Sequence, residues 1–338
     1  MEQNTSTRGI AQAAMAMTIV GTLTAVSATL SRYPVYGGQA VRYAVAAVIL
    51  LGVARLRDRG TVRPPAARWE WPVLGVLAAT GLAGFNVCIV EGTRYTSPAT
   101  IGTVIGSVPV VLAVAAPLMD GRRPAPRIVA AAVVVTAGAG VANGLGGGSL
   151  PGLLLALGAL AGEVCFSLLA IPLLPRLGAV RVSAYSAAAA VPMLFATGVA
   201  VDGTSVLRLP TWGETAGLAY LSLVVTAGAF IVWYDALGRI GADRAGLFAG
   251  LIPVSAVATT MALGLRTPDS AELAGALLVG LGVIFGLMRS ADRPLAVAAP
   301  ADHDEPAHHE QGHEDHPDDD HHSVDRRGIV EEAADHGV

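Results

Sequence analysis

Ten largely apolar runs recur along the chain, at 10–30, 38–54, 72–90, 97–119, 127–143, 152–174, 182–201, 214–237, 245–263 and 273–288. A helix of about 20 such residues is what the hydrocarbon core of a bilayer requires. Lipid offers a peptide group no hydrogen-bond partner, so each run has to close its own backbone bonds, as a helix does. The turns between them, such as Ser31-Arg32-Tyr33-Pro34 and Asp120-Gly121-Arg122-Arg123-Pro124, are too short to fold separately. The expected fold class is an all-α membrane protein of ten transmembrane helices. Charged residues make up 14% of the 338, against about 25% in a soluble domain. A water-facing surface over most of the molecule is thereby excluded; the lipid bilayer is the expected environment, and no nucleic-acid partner is expected.

Three details fix the topology further. Arg8 followed by Ile10–Leu30, with Ala25-Val26-Ser27-Ala28 near its end, has the outline of a signal peptide. The run is longer than the usual h-region of about 7–15 residues, and nine comparable runs follow it, so it is read as a retained first span. All 22 positive charges are arginine. With the N-terminus inside, fifteen arginines fall in inner loops (Arg8, Arg55, Arg57, Arg59, Arg63, Arg68, Arg122, Arg123, Arg127, Arg176, Arg181, Arg239, Arg244, Arg289 and Arg293) and four in outer ones (Arg32, Arg94, Arg208 and Arg266). Positive residues stay on the cytoplasmic side, so the expectation is a multi-pass protein of the inner (cytoplasmic) membrane with both termini cytoplasmic. Trp69, Trp71, Trp212 and Trp233 lie near span ends and are expected at the interface. Cys88 and Cys165 sit in apolar runs and read as small buried hydrophobes.

A shift of 144 residues superimposes Gly102 on Gly246, Gly106 on Gly250, Pro109 on Pro253, Arg122 on Arg266, Pro124 on Pro268 and Gly138 on Gly282. It also brings the acid Glu91 onto the acid Asp235. Each half then holds five spans, an odd number, so the second enters the membrane from the opposite face. Inverted repeats of this kind build alternating-access transporters with the substrate site near the midplane. The domains expected are a five-helix repeat over 1–145, a second over 146–289 and a His/Asp/Glu-rich tail over 290–338, disordered and cytoplasmic.

Two stretches carry a family resemblance: Glu91-Gly92-Thr93-Arg94-Tyr95-Thr96-Ser97-Pro98-Ala99 with Pro109 and the Asp120-Gly121-Arg122-Arg123 turn, and Trp233-Tyr234-Asp235-Ala236-Leu237-Gly238-Arg239-Ile240-Gly241-Ala242 with Pro253 and Gly282. Gln39-Ala40-Val41-Arg42-Tyr43 adds an arginine near the start of the second span. Together these resemble the EamA family of the drug/metabolite transporter superfamily. The sequence departs from that pattern at Val20-Gly21, where Trp-Gly is frequent, and at Arg266-Thr267-Pro268, where many members carry an acid and then a base. The resemblance implies ten helices, with spans 1, 3, 4, 6, 8 and 9 lining a central cavity and spans 5 and 10 outside.

Polar residues within the spans are the candidate site. Glu163, midway along the sixth span, is costly in lipid unless it faces a cavity or a partner; it could couple proton flow to transport or bind a cationic group. A purely structural hydrogen bond to a neighbouring helix is the alternative. Arg42 could pair with an acid or lay its stem along the helix and reach the headgroups. Glu91 and Asp235, at the ends of spans 3 and 8, are gate candidates or solvated helix-end charges. Asn86 is a cavity-lining candidate, and Tyr234 a substrate hydrogen-bonder or interface tyrosine. Pro109 and Pro253 would kink spans 4 and 9 and free a carbonyl. Gly102-x-x-x-Gly106, Gly158-x-x-x-Gly162 and Gly246-x-x-x-Gly250 read as helix-packing motifs.

The tail supplies His308, His309, His321 and His322 among acids, a weak metal-binding composition without fixed spacing. The leading functional expectation is a secondary transporter, an exporter or exchanger, of small organic metabolites or drugs, with no cofactor and a small-molecule substrate. A divalent-metal transporter sensing metal through the tail is the alternative. An integral membrane enzyme or a non-transporting scaffold follows behind, since the short arginine-rich loops assemble no catalytic set. Spans 5 and 10 could bury a homodimer interface or face lipid.

Overall fold

The computed structural model describes residues 2–27, 30–57, 67–144, 149–264, 267 and 269–288. The tail, with His308, His309, His321 and His322, lies outside the described residues, as do Arg266 and Pro268. Among the described residues the chain is helical throughout and forms no β-strand. In order the helices are α1 (Glu2–Gly21), α2 (Leu23–Ser27), α3 (Val35–Arg57), α4 (Glu70–Leu77), α5 (Phe85–Gly92), α6 (Pro98–Ile105), α7 (Val108–Met119), α8 (Pro126–Asn143), α9 (Leu150–Leu168), α10 (Leu174–Asp202), α11 (Trp212–Tyr220), α12 (Ala229–Ile240), α13 (Ala242–Gly246), α14 (Leu251–Ala262) and α15 (Ser270–Leu287). A π-helical stretch, Ala78–Gly84, joins α4 to α5, and a second, Leu221–Gly228, joins α11 to α12.

Local signals place the helix starts. Ser97 and Ser149 cap α6 and α9, each followed by a proline in the first turn, where the missing N–H is not needed. Thr211 with Glu214 and Asp269 with Glu272 form capping boxes at α11 and α15. Glu70 makes the same reach backwards, accepting from the Ala67 N–H at 2.5 Å. It is fully buried and Arg176 grips it with two bonds, at 2.7 and 2.8 Å. Glu214 is held by Arg208 in the same two-pronged way.

Among the described residues eight helical stretches are long and apolar enough to cross a membrane: Thr7–Ser27, Val35–Arg57, Glu70–Gly92, Thr100–Met119, Leu150–Val206, Trp212–Ile240, Ala242–Ala262 and Ser270–Leu287; Pro126–Ala142 is a shorter apolar helix. The 57-residue stretch would extend far beyond a core of about 30 Å if it ran straight at about 1.5 Å per residue. It does not run straight: a 3-10 turn intervenes at Ile171–Leu173, and Gly178 inside α10 takes a φ of 71°.

The outer surface is apolar. Leu273, Leu277, Leu281, Ile284 and Met288 form an exposed stripe on α15, the reverse of a soluble helix. Trp69, Trp71 and Trp212 are exposed near span ends, whereas Trp233 is 3% exposed and belongs to the core rather than the interface, because α12 packs against α1 and α10.

The spacing of 144 recurs in the elements. α15 begins and ends 144 residues after α8, and the two π-helical stretches end at Gly84 and Gly228, the same interval apart. Glu214 stands 144 residues after Glu70. The most extensive helix pairs are α8 with α15 and α3 with α10. In the first, a Cβ on Gly138 would lie 2.8 Å from the Val279 nitrogen and 2.9 Å from the Gly275 oxygen; one on Gly282 would lie 3.0 Å from the Val135 nitrogen and 3.1 Å from the Ala131 oxygen. These two contacts exchange under the same shift.

Such an approach of backbone to backbone leaves no room for a side chain. Gly138→Val should destabilise the protein by about 1–3 kcal/mol through overpacking, read as a lowered Tm in detergent. Gly280→Val, whose Cβ would meet nothing within 4 Å, should leave Tm unchanged.

Candidate functional site

The polar residues converge on a cluster between α3, α5, α9, α10 and α12. Arg42 is buried in α3, a position where a guanidinium survives only if its donors are used. Its Nε donates to Thr226 Oγ1 at 2.5 Å and its NH1 to Gln39 Oε1 at 3.2 Å, and the group lies 5.4 Å over the Tyr43 ring. Thr226 in turn donates to the Leu221 carbonyl five residues back, at 2.8 Å, within the second π-helical stretch. The irregular turn and the buried cation therefore share one hydroxyl. Headgroup contact by Arg42 does not occur; its partner is a hydroxyl, not an acid.

Tyr43 extends the cluster. Its hydroxyl accepts from Asn86 Nδ2 at 3.3 Å, and Asn86 also donates to the Leu82 carbonyl at 2.7 Å, in the first π-helical stretch. An aromatic group closes round it: Tyr43 with Phe230 at 6.3 Å between ring centroids, Phe230 with Phe166 at 4.8 Å and Phe166 with Tyr234 at 5.0 Å. Tyr234 is wholly buried, its hydroxyl 3.4 Å from the Phe166 carbonyl and within electrostatic reach of Glu163. It is thus a core residue of this cluster and not an interface tyrosine.

Glu163 follows Ala156 and Ala159 on the buried face of α9, so its partly exposed carboxylate looks into the bundle rather than at lipid. Beside it, Gly162 lets α9 approach closely: a Cβ there would lie 2.7 Å from the Thr80 oxygen.

Glu91 and Asp235 stand apart from the cluster and from each other. Glu91 accepts from the Tyr36 hydroxyl at 3.0 Å and pairs with Arg94 at 3.2 Å. Asp235 accepts from Gln12 Nε2 at 2.6 Å and from Arg239 Nε at 2.9 Å, and lines a cavity with Ala54 and Arg57. Tyr36 opens α3 and Ala54 lies near its other end, about 27 Å further along at a rise of about 1.5 Å per residue. The two acids therefore mark opposite ends of that helix.

Pro109 and Pro253 do not sit within continuous helices. The chain breaks before each, at Gly106-Ser107 and at the 3-10 turn Leu247–Gly250, and each proline lies in the first turn of the helix that resumes. There its missing N–H disrupts nothing. Sequence reasoning assigned no role to Thr226, Phe166 and Phe230, and marked Gln39 and Tyr43 only as neighbours of Arg42. A hydroxyl five residues into the apolar run 221–231 was the available signal for Thr226.

An all-helical bundle with an apolar exterior and a polar centre defines a multi-pass membrane protein. Residues 7–144 match the EamA-like transporter family. An uncharacterized transporter of Bacillus subtilis (strain 168), YetK, is 26% identical over 252 residues, covering 72% of this chain and 76% of the relative. Residues 7–144 are thus similar to the EamA-like transporters, and the longer stretch shared with the Bacillus relative is similar to a transporter. A solved crystal structure of 19% identity superimposes with a TM-score of 0.69 over 84% of this chain and 96% of its own, a likeness of fold.

Removing the Thr226 hydroxyl leaves a buried charged donor unpaired. Thr226→Val should cost about 1–3 kcal/mol, seen as reduced resistance to unfolding in detergent, whereas Thr226→Ser, which keeps the acceptor, should lose less than half as much.

Proposed function

We propose that the protein is a secondary transporter that carries a small organic metabolite or drug across the cytoplasmic membrane by alternating access, most simply as an exporter or exchanger. The observation that carries this reading is Glu163: a carboxylate on the inward face of a membrane helix, beside an aromatic and hydroxyl-bearing cluster and far from either end of the bundle. An intramembrane acid so placed suits reversible protonation or the binding of a cationic group.

The architecture proposed is two inverted five-helix repeats, 1–145 and 146–289. Leu150–Val206 crosses twice, turning at Ala170–Gly178, and Pro126–Ala142 crosses once, which raises the eight candidate spans to ten. The matched π-helical stretches, the matched buried glutamates Glu70 and Glu214, and the exchangeable glycine contacts of α8 and α15 support it. On the arginine count both termini are cytoplasmic. Glu91 and Asp235 then stand at opposite membrane faces, each tied to a neighbouring helix by one hydrogen bond, as gates at the two ends of one path would be. The exposed leucine stripe of α15 faces lipid.

The test is uptake by proteoliposomes across a panel of amino acids, nucleosides and cationic drugs, with proton movement followed in parallel. Wild-type protein should carry at least one compound faster than protein-free liposomes, with coupled proton movement, and Glu163→Gln should lower that flux at least tenfold. Uptake unchanged in Glu163→Gln would make the residue structural, and no uptake of any compound would refute the transporter reading.

A further inference from the structure

A cavity lies not at the polar centre but at the Asp235 end of the bundle. It has a volume of about 400 Å³ and its walls carry four arginines, Arg8, Arg57, Arg181 and Arg239, against one carboxylate, Asp235. That carboxylate is already engaged by Arg239 and Gln12, and among the described lining residues arginines outnumber acids four to one. A smaller hollow of about 170 Å³ shares Gly178, Ala179, Asp235 and Arg239 with it and reaches Tyr234, the edge of the central cluster. The basic cavity is thus the antechamber of the site, not a detached patch.

The other end of the bundle shows that the fold does not need this charge. Under the 144-residue shift Arg8, Arg57, Arg181 and Arg239 correspond to Gly152, Val201, Gly37 and Tyr95, none of them charged. That end is also filled: a Cβ on Gly37 would lie 1.7 Å from the Val206 oxygen, and one on Gly198 2.5 Å from a Val206 methyl. Topology alone puts arginine in cytoplasmic loops. It does not ask four of them, drawn from α1, α3, α10 and α12, to face one concavity. A cleft lined by one sign of charge raises the local concentration of the opposite ion and speeds its capture.

We propose that this mouth is an anion-collecting vestibule, and that the transported class is a small organic anion bearing a carboxylate or phosphate group. The proposal rests on the transporter reading above and narrows its substrate. Guanidinium groups pair with both carboxylates and phosphates through parallel bonds, and an anion that enters would find Arg42 as the next cation along the path. The same chemistry would hold the phosphate of an anionic lipid, so the source of the anion has to be separated in the test.

The experiment uses the full-length protein in nanodiscs of phosphatidylcholine, with and without phosphatidylglycerol. Binding of benzoate and phenyl phosphate is compared with benzyl alcohol and benzylamine, ring-matched neutral and cationic probes. The vestibule requires the anions to bind at least tenfold more tightly than the neutral probe, with an affinity that falls as salt rises. It also requires Arg57→Gln/Arg181→Gln to lose at least tenfold in anion affinity and Arg122→Gln, on an exposed turn outside the cavity, to lose none. Anions binding no better than benzyl alcohol, or an equal loss in Arg122→Gln, would overturn it. So would anion binding abolished by phosphatidylglycerol, since the site would then belong to lipid headgroups. Uptake of neutral or cationic compounds by protein that fails the anion test contradicts the vestibule and leaves the transporter standing; absence of uptake for compounds of every charge removes the transporter reading itself.

Discussion

A peptide group in hydrocarbon has no partner outside its own chain, and the rest of this structure follows from that constraint. It forces helices everywhere, and it confines departures from α-helix to places where other helices cover them. The π-helical stretches at Ala78–Gly84 and Leu221–Gly228, and the breaks before Pro109 and Pro253, are such departures. A π-turn misaligns a carbonyl from its regular partner. Here Asn86 takes up the Leu82 carbonyl and Thr226 the Leu221 carbonyl, and those same side chains hold Tyr43 and Arg42. The polar centre is therefore anchored on irregular backbone, the part of a helix that reshapes most readily.

Much of the fold was legible in the sequence because its signals are additive. Within the described residues each run from 10–30 to 273–288 coincides with helix, and the family whose model matches residues 7–144 is the one that the motifs round Glu91 and Asp235 resemble. Boundaries suffered where one run held two kinds of structure: the stretch 97–119 is broken at Gly106-Ser107, a pair with no strong propensity either way. The repeat was read from glycine, proline and a few charged residues without Glu70 over Glu214, which the same shift aligns and which Arg176 and Arg208 hold.

The site was legible only in part, for a physical reason. Sequence shows which residues are costly in lipid, so Glu163, Arg42 and Asn86 stood out. It does not show what offsets that cost, because the partners come from helices far along the chain: Arg42 and Thr226 are separated by 184 residues. Trp233 looked like an interface residue by position, and Tyr234 like a substrate hydrogen-bonder or an interface tyrosine; both are core residues by packing, since α12 packs against α1 and α10. Pro109 and Pro253 looked like kinks and instead restart helices.

Near-symmetry supplies the frame, and departures from it supply direction. α8 with α15 and α3 with α10 pair helices 144 residues apart, while a basic cavity lies at the end near Asp235 and the end near Glu91 is filled by Val206. On the transporter reading proposed above, the Glu163 position meets water from each side in turn. With Cys88→Ala and Cys165→Ala removing the native thiols, Glu163→Cys can be challenged with a membrane-impermeant maleimide, in right-side-out cells and in inside-out vesicles. Alternating access requires labelling from both faces; labelling from one face alone, or from neither, would contradict it.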